Sequence, residues 1–284
     1  MIVHLYAACW NEARVLEFFF RHYDPIVERF VIYDDGSTDE SLEILRRHPR
    51  VDVRRLDRLF SDSLVLSLRS LYNECWKESR GVVDWVIVTN VDEHIYHPRL
   101  KDYLYQCKRA GITMIPALGY EMISDRFPRP GETLTETVTC GAPRANMSKL
   151  AVFDPNAIVE TGYCVGRHKA YPKGDLQLPA RDELMNLHYK QLSLEYVVSR
   201  YKEQQARLLA EDVRMRLGYH YGWGEAAVAK DRRAIASRAV DVTAADFEPW
   251  KVHSERRWWR PRPGRPVRKV FHTLARFFGT AVAR

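Results

Sequence analysis

Residues Asp84–Tyr96 read DWVIVTNVDEHIY, an apolar run at Trp85–Val88 that leads into the acids Asp92 and Glu93. A short continuous apolar run bounded by polar residues marks a strand buried on both faces. Open α/β sheets bind ligands beyond the C-terminal ends of such strands, so these acids are expected at the site. The preceding chain keeps the same alternation. Ile2–Ala8 is an apolar strand, Phe30–Tyr33 is another that ends in Asp34-Asp35-Gly36, and Val51–Leu56 is a third. Between them Glu12–Tyr23 carries Val15, Leu16, Phe19, Phe20 and Tyr23 at helical spacing, and Ser63–Arg80 carries Leu64, Leu68, Leu71, Tyr72 and Cys75. Ser37 and Glu40 have the spacing of a capping box and predict a helix to about Arg47. Strands alternating with helices imply an α/β fold, a mostly parallel sheet with right-handed crossovers and flanking helices.

Downstream, Pro98–Ala110 reads as a helix and Ile112–Ala117 as a strand, after which Gly119–Asn146 weakens into a loop-like stretch. Strand patterns return at Lys149–Phe153, Ala157–Glu160 and Leu187–Lys190, and a helix is expected from Ser193 to about Leu217. A main domain over 1–240 is then followed by a linker and tail over 241–284. In the tail Val267, Val270, Phe271, Leu274, Phe277 and Phe278 share one helical face and basic residues lie largely off it, the profile of a basic amphipathic helix at a membrane surface.

The formal charge of +7 is unevenly placed: Glu255–Arg284 holds nine Lys/Arg against one Glu, leaving 35 Lys/Arg against 36 Asp/Glu over Met1–Ser254. A neutral body with a basic appendage argues for an anionic membrane surface and against a nucleic-acid groove. Five widely spaced cysteines without a CxxC pair argue against a disulfide framework and a zinc knuckle. No signal-peptide pattern opens the chain and no run of eighteen apolar residues occurs, so a cytoplasmic protein is expected, peripheral on the inner membrane through its tail.

After the first strand a dehydrogenase needs GxGxxG and a nucleotidyltransferase a Gly-rich basic loop, but the residues here are Ala8-Cys9-Trp10-Asn11-Glu12. What the chain offers is carboxylates at strand ends, Asp34/Asp35 and Asp92/Glu93, with Arg69 and Asn73 one turn apart on the helix between. Carboxylates face a diphosphate productively only across a divalent cation, which calls for Mg²⁺ or Mn²⁺. Asp34 or Asp35 can accept hydrogen bonds from a base N–H or from ribose hydroxyls, completing a nucleoside-diphosphate site.

In these pieces the chain resembles the family 2-like bacterial glycosyltransferases of GT-A fold, a Rossmann-like α/β architecture. The matching residues are Asn11-Glu12, VIYDDGSTDES at Val31–Ser41, DWVIVTNVDEHI at Asp84–Ile95 and LHYK at Leu187–Lys190, with Gly119–Met122, Lys149 and Gly166-Arg167-His168 as further marks. The likeness covers roughly Met1–Tyr221. It implies that Asp34 and Asp35 hold the nucleoside, that Asp92 ligates the metal, and that His188 reaches the same metal from the C-terminal half. Asn11, Glu12, Arg69, Asn73 and Asn90 fall to the donor side by the same likeness, with Lys190 and Arg200 as diphosphate partners. The family's DxD motif begins with Asp where this chain has Asn90, which keeps hydrogen bonding and drops a charge. Glu121 and Asp125 are the candidates for the base that deprotonates the acceptor, with Asp182 a third choice.

The expected function is therefore a metal-dependent, inverting transfer of a sugar from a nucleotide-diphosphate sugar to an acceptor hydroxyl. The tail points to a saccharide or lipid-linked acceptor in envelope polysaccharide or glycolipid synthesis. Two alternatives stand beside it, a catalytically silent membrane-associated nucleotide-sugar-binding protein and a nucleotidyltransferase.

Overall fold

A computed structural model describes residues 1–254 and 257–260. The apolar runs become β1 (Val3–Cys9), β2 (Arg29–Asp34), β3 (Val51–Arg55) and β4 (Trp85–Val88), joined through α1 (Ala13–Tyr23), α2 (Ser41–Arg47) and α3 (Leu64–Glu74). These strands are mutually parallel in the order β3-β2-β1-β4, with Cys9 beside Asp34 and Tyr6 beside Val88, so their C-terminal ends line up. All four residues of β4 are buried, as its unbroken apolar run requires. The helices cover the sheet with apolar faces: on α1, Val15, Leu16, Phe18, Phe19, Phe20 and Tyr23 are buried.

The opening stretch is two strands and not one. After β4 the chain turns at Asn90, whose carbonyl accepts the Glu93 N–H at 3.1 Å, and β5 (Glu93–Tyr96) leaves in a new direction. It is followed by α4 (Leu100–Arg109), β6 (Met114–Ile123), α5 (Leu134–Thr137), β7 (Cys140–Pro143), β8 (Lys149–Phe153), β9 (Ile158–Glu160), β10 (Lys173–Gly174) and β11 (Met185–Gln191). Beyond β4 the sheet continues β8-β6-β7 with antiparallel pairing, while β11 lies parallel to the outer half of β6 and antiparallel to β5. The stretch expected as loop from Gly119 opens and nearly closes in sheet, because β6 runs on to Ile123 with β7 and β11 on its two edges, and the loop proper lies between β6 and β7.

Two local expectations change at helix ends. Ser37 does not cap α2, because its hydroxyl is committed to Asp34 and to the Asn11 N–H; the helix starts four residues later, at Ser41. The long helix expected to Leu217 ends at Arg207: α6 (Leu194–Arg207) gives way to extended backbone at Leu208 and Leu209 before α7 (Ala210–Arg214). Asp212 of α7 lies just beyond the break. Fully buried, it accepts Ser63 Oγ at 2.6 Å, the N–H groups of Leu64 and Val65 at the α3 N-terminus, and its own helix's Leu209 N–H. One carboxylate caps two helices and anchors α7 to the start of α3.

The segment expected as a linker is also part of the body. After α8 (Glu225–Ala236), β12 (Val240–Asp241) pairs with β7, and α9 (Pro249–Val252) follows. Val242, His253 and Trp259 are buried. Asp182, 1% exposed, receives Arg257 at 2.8 Å, Arg260 at 2.7 Å and the Trp259 indole N–H at 3.0 Å. The amphipathic helix expected at 267–282 lies outside the described residues. Among the described residues no helix is long and apolar enough to cross a membrane.

Candidate functional site

The C-terminal ends of β1, β2 and β4 deliver Trp10, Asp34/Asp35 and Asn90–Asp92 to one edge, and β5, β6 and β11 close over it. In register, His188 of β11 sits opposite Glu93 of β5 on one side and Glu121 of β6 on the other. Directly opposed residues on neighbouring strands bring their side chains together. His188 Nδ1 lies 2.9 Å from Glu121 Oε1, and its Nε2 lies 3.1 Å from Asp92 Oδ2. The Tyr189 N–H, at 2.8 Å from the Asp92 carbonyl, ties the acid's backbone to β11.

A carboxylate at each nitrogen favours the doubly protonated ring, which must give up its Nε2 proton before that nitrogen can ligate a cation. Burial disfavours that charge, but Glu121 and Asp92 outweigh it and raise the His188 pKa to about 10. Burial likewise works against ionised Asp92, whose pKa nevertheless falls far below the usual carboxylate range beside His188 and Lys190. Lys190 itself lies within 4.7 Å of the Tyr201 ring centroid and 4.8 Å of the Tyr221 centroid, with His220 Nε2 at 3.4 Å. This cage holds an ammonium group beside the Asp92–His188–Glu121 row.

Glu93 has a different task from its neighbour. It is 1% exposed, and Lys149 Nζ at 2.5 Å and Arg167 Nη2 at 2.8 Å meet its two oxygens. Asn90 Nδ2 adds a third contact at 2.8 Å. Burial raises the cost of the charge, but the two cations outweigh it and keep Glu93 ionised. Arg167 also donates to the Val88 carbonyl at 2.6 Å and stacks over Tyr72. Lys149 and Arg167 therefore neutralise a buried acid beneath the site.

Asp92, Glu93 and His188 each bring one potential ligand atom within 4.8 Å of the others. Because both Glu93 oxygens are engaged, the groups that fit a cation are Asp92 and His188. Glu121 on Nδ1 orients the imidazole, as a carboxylate behind a metal-ligating histidine does. An oxygen–nitrogen pair suits Mn²⁺ better than Mg²⁺, which favours oxygen donors.

Several expected donor residues are spoken for. Asn90 takes the Tyr72 hydroxyl at 2.8 Å on Oδ1 while its amide serves Glu93, so it acts as a spacer and not as a ligand. Asn73 is saturated by Thr161, Tyr163 and the Arg69 carbonyl. Arg69 is half-buried and makes no side-chain hydrogen bond or ion pair among the described residues. Asp34 accepts the Gly36 N–H at 2.9 Å, the Ser37 N–H at 3.0 Å and the Ser37 hydroxyl at 2.5 Å, shaping the turn that presents Asp35. Asn11, at φ 49°, binds Thr38 with its side chain and Ser37 with its N–H, which ties the β1–α1 turn to the same loop.

Asp35 and Glu12 remain at the cleft, both covered by α6. Asp35 is gripped by Arg58 at 2.9 and 2.8 Å and by Arg207. Glu12 pairs with Arg200, which also donates to the Trp10 carbonyl at 2.8 Å. Burial pushes the Glu12 pKa up to about 7, with Arg200 opposing. A groove of about 760 Å³ runs between the β1–α1 turn and α6, lined in part by Asn11, Glu12, Arg14, Asp39, Tyr196 and Arg200.

Of the carboxylates expected as base, Glu121 alone joins the row. Asp125 is fully exposed, with Arg232 at 3.9 Å, and Asp182 is sealed by Arg257, Trp259 and Arg260. Trp10, Arg58, Arg144, Arg207 and the Tyr201/Tyr221 cage were not singled out from the sequence. Arg207 had a legible signal, because it lies seven residues after Arg200 on the same helical face.

No protein-family model matches the chain. No curated protein matches it either. Among solved structures it is similar to S. aureus TarS 1-349, at 10% identity over 71% of this chain and 66% of that one, with a TM-score of 0.36. TarS 1-349 in complex with UDP gives 10% identity, 80% and 73% coverage and a TM-score of 0.37. Glucosyl-3-phosphoglycerate synthase from Mycobacterium tuberculosis, in complex with Mn²⁺, UDP and glucosyl-3-phosphoglycerate, gives 17% identity, 42% and 44% coverage and a TM-score of 0.29. At this distance no residue role is carried over from them.

Proposed function

We propose that the protein is a glycosyltransferase that moves a sugar from a nucleotide-diphosphate sugar to an acceptor hydroxyl, with inversion at the anomeric carbon. The observation that carries this reading is the row Asp92–His188–Glu121 at the ends of β4, β11 and β6, with the caged Lys190 beside it and Asp35 and Trp10 on the neighbouring strand ends. Asp92 and His188 would hold a divalent cation, which supplies positive charge to the leaving diphosphate. Lys190 adds a fixed ammonium to the same task. Glu121 orients His188 through Oε1; its Oε2, with Arg144 Nε at 3.9 Å and no hydrogen bond among the described residues, is the acceptor for the hydroxyl proton.

The acceptor is a saccharide or lipid-linked saccharide of the bacterial envelope, and the work is done at the cytoplasmic face of the membrane. The support for that part is the basic amphipathic sequence at 267–282.

A thermal-shift screen of nucleoside diphosphates and nucleotide sugars with and without Mn²⁺ tests the reading, because a ligand bound to the folded state raises its melting temperature. A Mn²⁺-dependent shift is expected with at least one nucleotide sugar. In Asp92→Asn that dependence is lost, with circular dichroism showing that the variant is folded. If no nucleotide shifts the transition with or without Mn²⁺, the proposal falls. Release of pyrophosphate would mark a nucleotidyltransferase instead.

A further inference from the structure

Trp10 and Asp35 stand side by side at the ends of β1 and β2, an aromatic face next to a carboxylate. The Arg207 guanidinium carbon lies 3.9 Å from the Trp10 ring centroid, and the same group donates to Asp35 Oδ2. A flat group stacked on an indole while giving an N–H to a carboxylate makes the contacts that a nucleobase with a ring N–H would make.

Arg207 is poorly matched to this place in three respects. Asp35 is already neutralised by Arg58, which binds it through two parallel hydrogen bonds, so Arg207 is a second cation on one acid. The Arg207 Nε is buried and has no hydrogen-bond partner among the described residues. Arg200, from the same helix face, lies 5.3 Å from the same indole, so two guanidinium groups crowd one ring. Burial and the like charges of Arg200 and Arg58 make the charged form of Arg207 less favourable, against the pull of Asp35. A buried donor left without a partner weakens the contact it belongs to, which makes that contact displaceable.

We infer that Arg207 is an intramolecular stand-in for the nucleobase: it fills the slot between Trp10 and Asp35 and must leave when a nucleotide enters. The inference rests on the proposed nucleotide-sugar reading and adds how that site is kept closed. The hinge is at hand, since α6 ends at Arg207 and the extended Leu208 and Leu209 separate it from α7, which Asp212 anchors to α3. Release of the last α6 turn would lift Arg207 off the Trp10 ring and off Asp35, leaving Arg58 on the acid, while α7 stays in place.

Isothermal titration of the full chain with UDP, GDP and inorganic pyrophosphate, on the parent, Arg207→Met and Trp10→Ala, tests this. Arg207→Met should bind UDP or GDP about tenfold more tightly, the size expected when one stacked cation stops competing, and should bind pyrophosphate no more tightly. Trp10→Ala should weaken the nucleotide and leave pyrophosphate unchanged. Circular dichroism and melting curves establish that both variants are folded, and Arg207→Lys, which keeps the charge without the plane, should fall between the parent and Arg207→Met. Nucleotide binding that is unchanged or weaker in Arg207→Met, or a gain shared by pyrophosphate, overturns the stand-in while leaving the nucleotide reading intact. If parent and variant bind neither UDP nor GDP, the stand-in is overturned, and the nucleotide reading falls with it only if the wider nucleotide screen is also blank.

Discussion

Replacing Asn90 by Asp sets a carboxylate where the Asn90 amide now donates to Glu93 at 2.8 Å. Two acids then face each other over a half-buried turn, and like charges that close disfavour ionisation of both. Asn90→Asp, which restores the acidic first letter of the motif, is expected to lower stability by about 1–3 kcal/mol in urea unfolding and to leave Mn²⁺ affinity no higher. Tighter Mn²⁺ binding at unchanged stability would show that Asn90 faces the cation after all. Lys149→Met keeps the length of the side chain and removes one of the two cations on a carboxylate that is 1% exposed. Stranding part of a buried charge costs about 3–5 kcal/mol, and urea denaturation should read a loss of that size. A loss below about 1 kcal/mol would mean that Arg167 alone neutralises Glu93.

At the scale of elements, the Cys164–Lys169 loop exists to bring Arg167 inward. Gly166 at φ 66° and Arg167 at φ 56° are consecutive left-handed residues, and that double turn sends the guanidinium to Glu93 and the Val88 carbonyl. A Cβ on Gly166 would fall 2.5 Å from the His168 ring. Gly166→Ala therefore combines the cost of left-handed backbone with a clash, and should lower stability by about 2–4 kcal/mol by urea unfolding. A variant as stable as the parent would show that the loop reshapes without withdrawing Arg167. The pairing of β11 between β5 and β6 is the other deciding element, since it places His188 between Asp92 and Glu121. LHYK was legible in the sequence as a strand with a histidine; its two neighbours were not, because pairing partners are set by distant chain segments.

Over the whole molecule, burial makes the fold acid-sensitive in a defined window. His22 stacks on His94 with ring centroids 4.6 Å apart and bonds to the Ile95 carbonyl at 2.9 Å. Burial outweighs that bond and lowers its pKa from 6.5 to about 4. Between those values the unfolded chain binds a proton that the folded chain refuses, so stability climbs as pH rises from about 4 to 6.5 and is lost on acidification through the same range. His22→Gln, which keeps a donor for Ile95, should flatten the slope of unfolding free energy against pH in that window by up to one proton. An unaltered slope would place the acid sensitivity elsewhere. Elsewhere Asp182 ties the last described residues to the body by gripping Arg257, Trp259 and Arg260.

The sequence by itself determined the strand–helix alternation, the parallel N-terminal half of the sheet and the acids at its strand ends. Side-chain period and apolar runs are local properties, and chain order then fixes which residues follow a strand. Only the tertiary structure decided which of those acids is available. Asp34 is closed by its own turn, Glu93 by Lys149 and Arg167, Asp35 by Arg58 and Arg207, and Asp182 by the C-terminal segment, whereas Asp92 keeps a quarter of its side chain exposed beside His188. Whether a carboxylate can meet a ligand depends on the cations that other parts of the chain bring to it, and for all but Asp34 that is a matter of long-range contact.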